Sequence, residues 1–277
     1  MKRKALIHKI LSSVILVIIL AVFMIPVYWT FVMSFDETVL SEIPTPPRLL
    51  PRVLSTANYD YAFAHADILR YVLNTAMITT ICTVISVTTA LMCGYAFAKG
   101  RFFLKNFWFV FVLAVMMIPF EAIMIPLYIQ YTKWGMMGTY LPIILGYFKY
   151  PYGIFLSKQN IQAIPDSLRE ACYIDGGREW RTFVSVIVPL CGPVIATMCI
   201  LQIIGSWNSF LWPMICIRDR SMYTISIGVQ MFNSSETVQL LGPRMALAFI
   251  SAIPIVIAYL LLQRFIVTSV AVSGIKG

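Results

Sequence analysis

The sequence predicts an all-α polytopic membrane protein, and three observations carry that reading. Hydrophobic residues make up 60% of the 277 residues and charged residues only 12%, whereas a soluble domain carries roughly a quarter charged residues. That apolar surface is gathered into six runs close to the ~20 residues that a spanning helix needs. The runs are continuous rather than alternating, which excludes a β-barrel, the other structure that satisfies its backbone in lipid. The same composition excludes a disordered chain, a secreted disulfide scaffold and an ordinary cytosolic enzyme.

The six predicted spans are residues 10–35, 71–98, 107–129, 140–156, 184–213 and 245–267. The first follows the basic start Met1-Lys2-Arg3-Lys4. It is too long for a signal peptide and no small-x-small cleavage site follows, so an uncleaved anchor is expected. The fourth is short and contains Lys149. Pro119, Pro126, Pro189 and Pro193 are expected to kink or break the third and fifth spans.

Orientation follows from the loop charges. With the N-terminus inside, the inner segments hold thirteen basic and four acidic residues, a balance of +9, and the outer segments hold seven of each. The whole formal charge of +9 is then cytoplasmic, with Glu121 and Lys149 cancelling inside the membrane. Both termini fall in the cytoplasm. Spread over four membrane-edge segments, this charge is a topology signal and not a nucleic-acid footprint. The expected organisation is an anchor helix and first outer loop (1–70), a core of five spans (71–267) and a cytoplasmic tail (268–277). The outer loop holds Ile43-Pro44-Thr45-Pro46-Pro47, which cannot be helical. Residues 99–106 form a tight basic hairpin.

The inner loop at about 158–183 carries the sharpest signal. Pro165 with Asp166 or Ser167 starts a short helix and Gly176-Gly177 stops it. Leu168, Ala171, Cys172 and Ile174 fall on one face, with Arg169 and Glu170 towards the other. Such a stripe needs a cover. A lipid-lying helix is rich in Lys and Arg on its polar face; here both signs occur, which favours a protein partner.

At these residues the chain resembles the membrane subunits of binding-protein-dependent ABC importers. Their EAA loop reads E-A-A-x3-G-x9-I-x-L-P, and here Glu170, Ala171, Cys172, Gly176, Val186, Val188 and Pro189 fill it with three conservative departures. Met117-Ile118-Pro119 with Ile125-Pro126-Leu127-Tyr128, the run from Trp207 to Pro213, and the ending Gly274-Ile275-Lys276-Gly277 resemble the carbohydrate-uptake, MalG-like branch. The resemblance implies an ABC importer permease fold in a bacterial cell membrane. It implies as partners a second homologous permease, two ATP-binding subunits that use ATP and Mg, and an extracytoplasmic solute-binding protein that delivers a carbohydrate such as an oligosaccharide. It also implies that Leu168, Glu170, Ala171, Cys172, Ile174, Asp175 and Gly176 couple to the ATPase, with Lys276 and Gly277 reaching it from the tail.

The chain itself has no G-x-x-x-x-G-K-[ST] element and no nucleophile–base arrangement, so it is expected to bind no cofactor and to catalyse nothing. Its six cysteines lack metal or redox spacing and read as packing residues. The pathway candidates are Glu121, Lys149, Trp207, Asn208 and Asn74. Glu121 and Lys149 fall at similar depth and could pair, either as a structural bond or as lining of a hydrated cavity. Trp212 reads first as an interfacial anchor and Asn74 as either an interhelical hydrogen bond or a pore group. Two other readings stay open: a permease for a non-sugar solute, and a proton-coupled secondary transporter using Glu121.

Overall fold

In the computed structural model, residues 2–40, 44, 46–231 and 240–273 are described. The helices are α1 (Lys2–Ser34), α2 (Ala57–His65), α3 (Ile68–Lys99), α4 (Lys105–Ala114), α5 (Phe120–Lys133), α6 (Leu141–Leu145), α7 (Pro151–Gln162), α8 (Ser167–Ile174), α9 (Glu179–Thr182), α10 (Val188–Leu190), α11 (Gly192–Trp207), α12 (Leu211–Cys216), α13 (Ile225–Met231) and α14 (Leu241–Ser273). One isolated antiparallel bridge, Asp36 with Leu54, is the extended pairing among the described residues.

Three stretches are long and apolar enough to cross a membrane unbroken: Ile10–Ser34, Ile68–Lys99 and Leu241–Arg264. Two more qualify only as bent pairs, Lys105–Met117 with Phe120–Lys133 at 95° and Glu179–Leu190 with Gly192–Trp207 at 78°. Proline explains both breaks. Pro119 forces Ile118 into an extended conformation (φ −88°, ψ 113°), so α5 starts afresh after it. Pro193 lies in the first turn of α11, just after the break at Cys191. Pro189 cannot donate to Ser185, and the ladder widens into a π turn, Phe183–Ile187, just before it. The fourth expected span departs from expectation. Residues 140–156 form no continuous helix: α6 runs into a 3-10 turn, Lys149 is extended, Tyr150 is non-helical (φ −133°, ψ 70°), and α7 begins at Pro151. The residue before a proline is driven out of the α region, which is why Tyr150 ends the run. Among the described residues there are therefore up to five candidate spans by length and composition, where the sequence suggested six.

The chain divides into two compact units. The first holds residues 1–68 and 228–253. Here Asn58, fully buried, donates from its amide to the carbonyls of Met33 (3.3 Å), Ser34 (3.2 Å) and Asp36 (2.8 Å). The Met33 and Ser34 carbonyls belong to the last turn of α1 and the Asp36 carbonyl to the turn after it, so one side chain clamps the end of that helix to the chain that leaves it. Asp36 is buried beside it and accepts from the N–H and hydroxyl of Thr38 and from the N–H of Arg52. Burial alone would raise its carboxyl; these hydrogen bonds outweigh it and hold the group below its ordinary value. Gly242 packs against Asn58 so closely that a Cβ there would lie 2.1 Å from the amide oxygen. Residues 10–27 of α1 are exposed, as suits a helix facing lipid.

The second unit, residues 69–227 and 254–277, is organised around α3. Ala90 and Gly94 of α3 meet Gly153 and Ser157 of α7. A Cβ on Gly94 would stand 2.3 Å from the Ser157 Cβ, and one on Gly153 would meet the Ala90 Cβ at 3.0 Å. Small residues four apart on both helices permit this close approach. Around the seam pack Val87, Leu91, Ile154, Ile161, Phe183, Ile187, Cys191 and Met198. A second cluster holds Ile78, Cys82, Tyr131, Ile143, Trp212, Cys216, Ile217 and Ile227.

Gly94→Leu should therefore prevent the α3–α7 contact and abolish recovery of folded protein from membranes. Gly205→Ala, inside α11 with nothing within 4 Å of its Cβ position, should raise the Tm through the ~0.5–1 kcal/mol that Ala gains over Gly in a helix interior. Detergent thermal-shift measurements on both variants check this. Asn58→Leu should cost about 1–3 kcal/mol by removing the buried amide's hydrogen bonds to the Met33, Ser34 and Asp36 carbonyls, read as a lower Tm.

Candidate functional site

The loop after α7 folds as a capped, protruding helix. Asp166 precedes α8, and the N–H groups of Arg169 and Glu170 bond its carbonyl (2.9 and 3.0 Å). At the other end Gly176 adopts φ +77°, its N–H bonds the Tyr173 carbonyl (3.0 Å), and the Gly177 N–H bonds the Cys172 carbonyl (2.8 Å). This is the Schellman stop that the Gly-Gly pair predicts. Gly177 is also sterically required, since a Cβ would lie 2.5 Å from the Cys172 sulfur.

The faces of α8 differ from the sequence expectation. Arg169 and Cys172 turn inward, whereas Leu168, Glu170, Ala171, Tyr173, Ile174, Asp175 and Gly176 are exposed, Ile174 at 86%. Arg169 is drawn in by charge. Its guanidinium pairs with Glu179 at 3.0 Å and with Asp166 at 3.6 Å, donates to the Tyr173 hydroxyl at 3.3 Å, and lies 6.0 Å from the centre of the Tyr95 ring. Tyr95 of α3 in turn donates to the Glu179 carboxylate. Lys99, at the end of α3 and nearly buried, pairs with Asp166 at 2.9 Å and donates to the Ile164 carbonyl at 2.6 Å. Two ties therefore fasten α8 to α3, one at each edge of the loop. The Lys99 ammonium, by hydrogen bond and charge, holds the Asp166 carboxyl below its ordinary range, with Arg169 adding to it. The surrounding acid and phenol groups hold the Arg169 guanidinium in its charged form despite partial burial. Sequence reading counted Lys99 only as a topology charge and missed Tyr95 and Glu179; no local spacing signals a contact across 84 residues.

The pathway candidates fall in different places. Glu121 is exposed in the first turn of α5, where a helix start favours an acid. No Glu121–Lys149 ion pair forms among the described residues, so the pairing that similar depth suggested is corrected. The Lys149 ammonium lies instead 5.9 Å from the centre of the Phe120 ring. It lines a cavity of about 440 Å³ with Phe120, Tyr131, Tyr147, Phe148, Ser209 and Trp212 among its walls. Trp212 is not an interfacial anchor: it is 8% exposed, edge-on to Phe120 at 5.6 Å, and its indole N–H bonds the Pro142 carbonyl at 3.2 Å. Asn74 donates to the carbonyls of Ser221 (2.9 Å) and Tyr223 (3.0 Å), pinning the turn before α13. Trp207 is buried, and Asn208 is exposed and closes α11 by donating to the Ile204 carbonyl. Lys276 and Gly277 lie outside the described residues.

Residues 86–272, most of the chain and all of this loop, match the family model of the binding-protein-dependent transport system inner membrane component. The chain belongs to that family. This permease is 34% identical to the arabinooligosaccharides transport system permease protein AraQ of Halalkalibacterium halodurans, over 82% of this chain and 81% of the relative. It is 30% identical, over 99% of each chain, to the probable starch degradation products transport system permease protein AmyC of Thermoanaerobacterium thermosulfurigenes. It superposes with a TM-score of 0.78, over 93% of this chain and 96% of the other, on a subunit of a bacterial ABC transporter involved in the import of the acidic polysaccharide alginate; at 23% identity that match shows the fold. The permease is thus an all-helical, multi-pass membrane component of an ABC-type import system, as its EAA loop led one to expect.

Because the Asp166 carboxyl is held low, its tie stabilises the folded permease above the ordinary value of 3.8 and is lost as pH falls through the lower folded value. The Tm of Asp166→Asn should therefore lie below that of the parent at neutral and mildly acidic pH. The gap should close only below about pH 3.8, which a thermal-shift titration reads.

Proposed function

We propose that this permease and a second, homologous one form the pore of an ATP-driven importer for a carbohydrate, delivered by an extracytoplasmic solute-binding protein. Two cytoplasmic ATP-binding subunits, using ATP and Mg, drive it. The observation that carries the coupling role is α8: its outer face shows Leu168, Ala171 and Ile174 to solvent while Arg169 is tied inward. An exposed apolar face on a helix held rigidly against the bundle suits a partner's groove. Glu170, Asp175 and Gly176 border that face, Cys172 backs it, and Lys276 and Gly277 would reach the same partners from the tail. The carbohydrate class rests on relatives named for arabinooligosaccharide and starch-product transport. Six spans, with residues 71–267 as the core and both termini in the cytoplasm, agree with the loop charges.

In mechanism, closure of the ATPase pair would push on α8. Lys99 with Asp166, and Tyr95 with Glu179 and Arg169, would pass that displacement to α3, so that the helix moves with its span instead of flexing alone. The ABC reading is favoured over a proton-coupled carrier by family membership.

Ile174→Asp puts a charge on a side chain that touches little of its own chain. It should leave insertion intact but weaken retention of the ATP-binding subunits by about 2 kcal/mol or more, roughly thirtyfold. Affinity purification from native membranes, with mass spectrometry of the co-purifying chains, reads both the partners and their loss. Retention of the same ATPase by the variant would remove α8 as the docking element.

A further inference from the structure

The cavity beside Lys149 has a chemistry that the coupling reading leaves unused. Its walls combine the buried Ile143 (2% exposed), Tyr131 and Trp212 with the exposed Phe148 and Lys149. At about 440 Å³ it is within the size range of small-ligand sites. Aromatic rings line it from three separate segments: Phe120 and Tyr131 from α5, Tyr147 and Phe148 from the turn after α6, and Trp212 from α12. The indole N–H of Trp212 is already committed to Pro142. Lys149 is the one charged side chain on these walls, no acid lines them, and it forms no ion pair among the described residues.

A lysine within the apolar run of a membrane protein is costly unless it finds a counter-charge. The Phe120 face offers it a cation–π contact, which is weaker than a charge-assisted hydrogen bond. Flat aromatic faces suit the C–H faces of sugar rings, and one isolated ammonium suits a carboxylate. We infer that the Lys149 cavity binds an acidic glycosyl unit, a sugar ring bearing a carboxylate, with Lys149 taking the carboxylate and Phe120 and Phe148 stacking against the ring. This rests on the carbohydrate-import reading and specifies its substrate class. No bond is made or broken; the ammonium exchanges a ring face for an anion.

The test uses the whole transporter purified with its co-purifying chains and reconstituted in proteoliposomes. Uptake of labelled digalacturonate is compared with that of arabinotriose, a neutral control, for the parent, Lys149→Gln and Lys149→Arg. The expected result is uptake of digalacturonate, with an apparent affinity about tenfold or more weaker in Lys149→Gln, the size of one charge-assisted bond. Lys149→Arg should restore it. Equal recovery of the three assemblies establishes that the lysine variants fold. Uptake of arabinotriose but not digalacturonate would overturn the acidic-ligand inference and leave the carbohydrate reading standing. So would digalacturonate uptake that is insensitive to Lys149→Gln. Failure of both sugars in an assembly that hydrolyses ATP would overturn the carbohydrate reading along with the inference.

Discussion

A broken helix in an apolar medium releases carbonyls and N–H groups that water cannot satisfy, and in the second unit α3 supplies partners for several of them. Ser86 donates to the Tyr147 carbonyl at 2.7 Å and Thr89 to the Phe148 carbonyl at 3.3 Å, where the α6–α7 segment is interrupted. Asn74 holds the carbonyls of Ser221 and Tyr223, and the Thr75 hydroxyl accepts the Ile225 N–H at 2.8 Å. These are hydroxyl and amide groups on an otherwise apolar helix. Their spacing down α3 lets one unbroken element steady an interrupted segment and a turn far apart in sequence.

The same helix ends at the loop that carries α8. Ala90 and Gly94 bring α7 close, Tyr95 engages Glu179, and Lys99 engages Asp166. One rod therefore runs from the interrupted segments to the protruding α8. The ion pairs at its end are partly exposed on the acid side and nearly buried on the Lys99 side. Exposed pairs contribute little to stability by themselves. Their geometry has the larger consequence, since it fixes the inward turn of Arg169 and so leaves Leu168, Ala171 and Ile174 outward.

The loop helix was legible because its signals are local. A proline and an acid open it, two glycines close it, and the Schellman bonds form among residues a few positions apart. The breaks at Pro119 and Pro193 were legible for the same reason. The interruption at Lys149 and Tyr150 was not, although Pro151 marks it, because hydropathy averages over a window and a window cannot see two non-helical residues. The Glu121–Lys149 pairing rested on equal depth along two straight helices, and neither segment is one: α4 and α5 meet at 95°, and the chain leaves the helix at Lys149 and Tyr150. Trp212 was misplaced because tryptophan at a span end has two common homes, the interface and the core, and only packing against Phe120 and Tyr131 separates them.

By itself the sequence determined the membrane class, the family, and the position and ends of α8, since hydropathy and capping act within a few turns of chain. Tertiary structure decided which face of α8 points outward, what Lys99, Tyr95 and Asn74 hold, and that Lys149 lines an aromatic cavity instead of meeting Glu121. Those outcomes depend on charges and rings brought together across scores of residues. Their partners are chosen by where the proline breaks send the chain, and no local pattern records that direction.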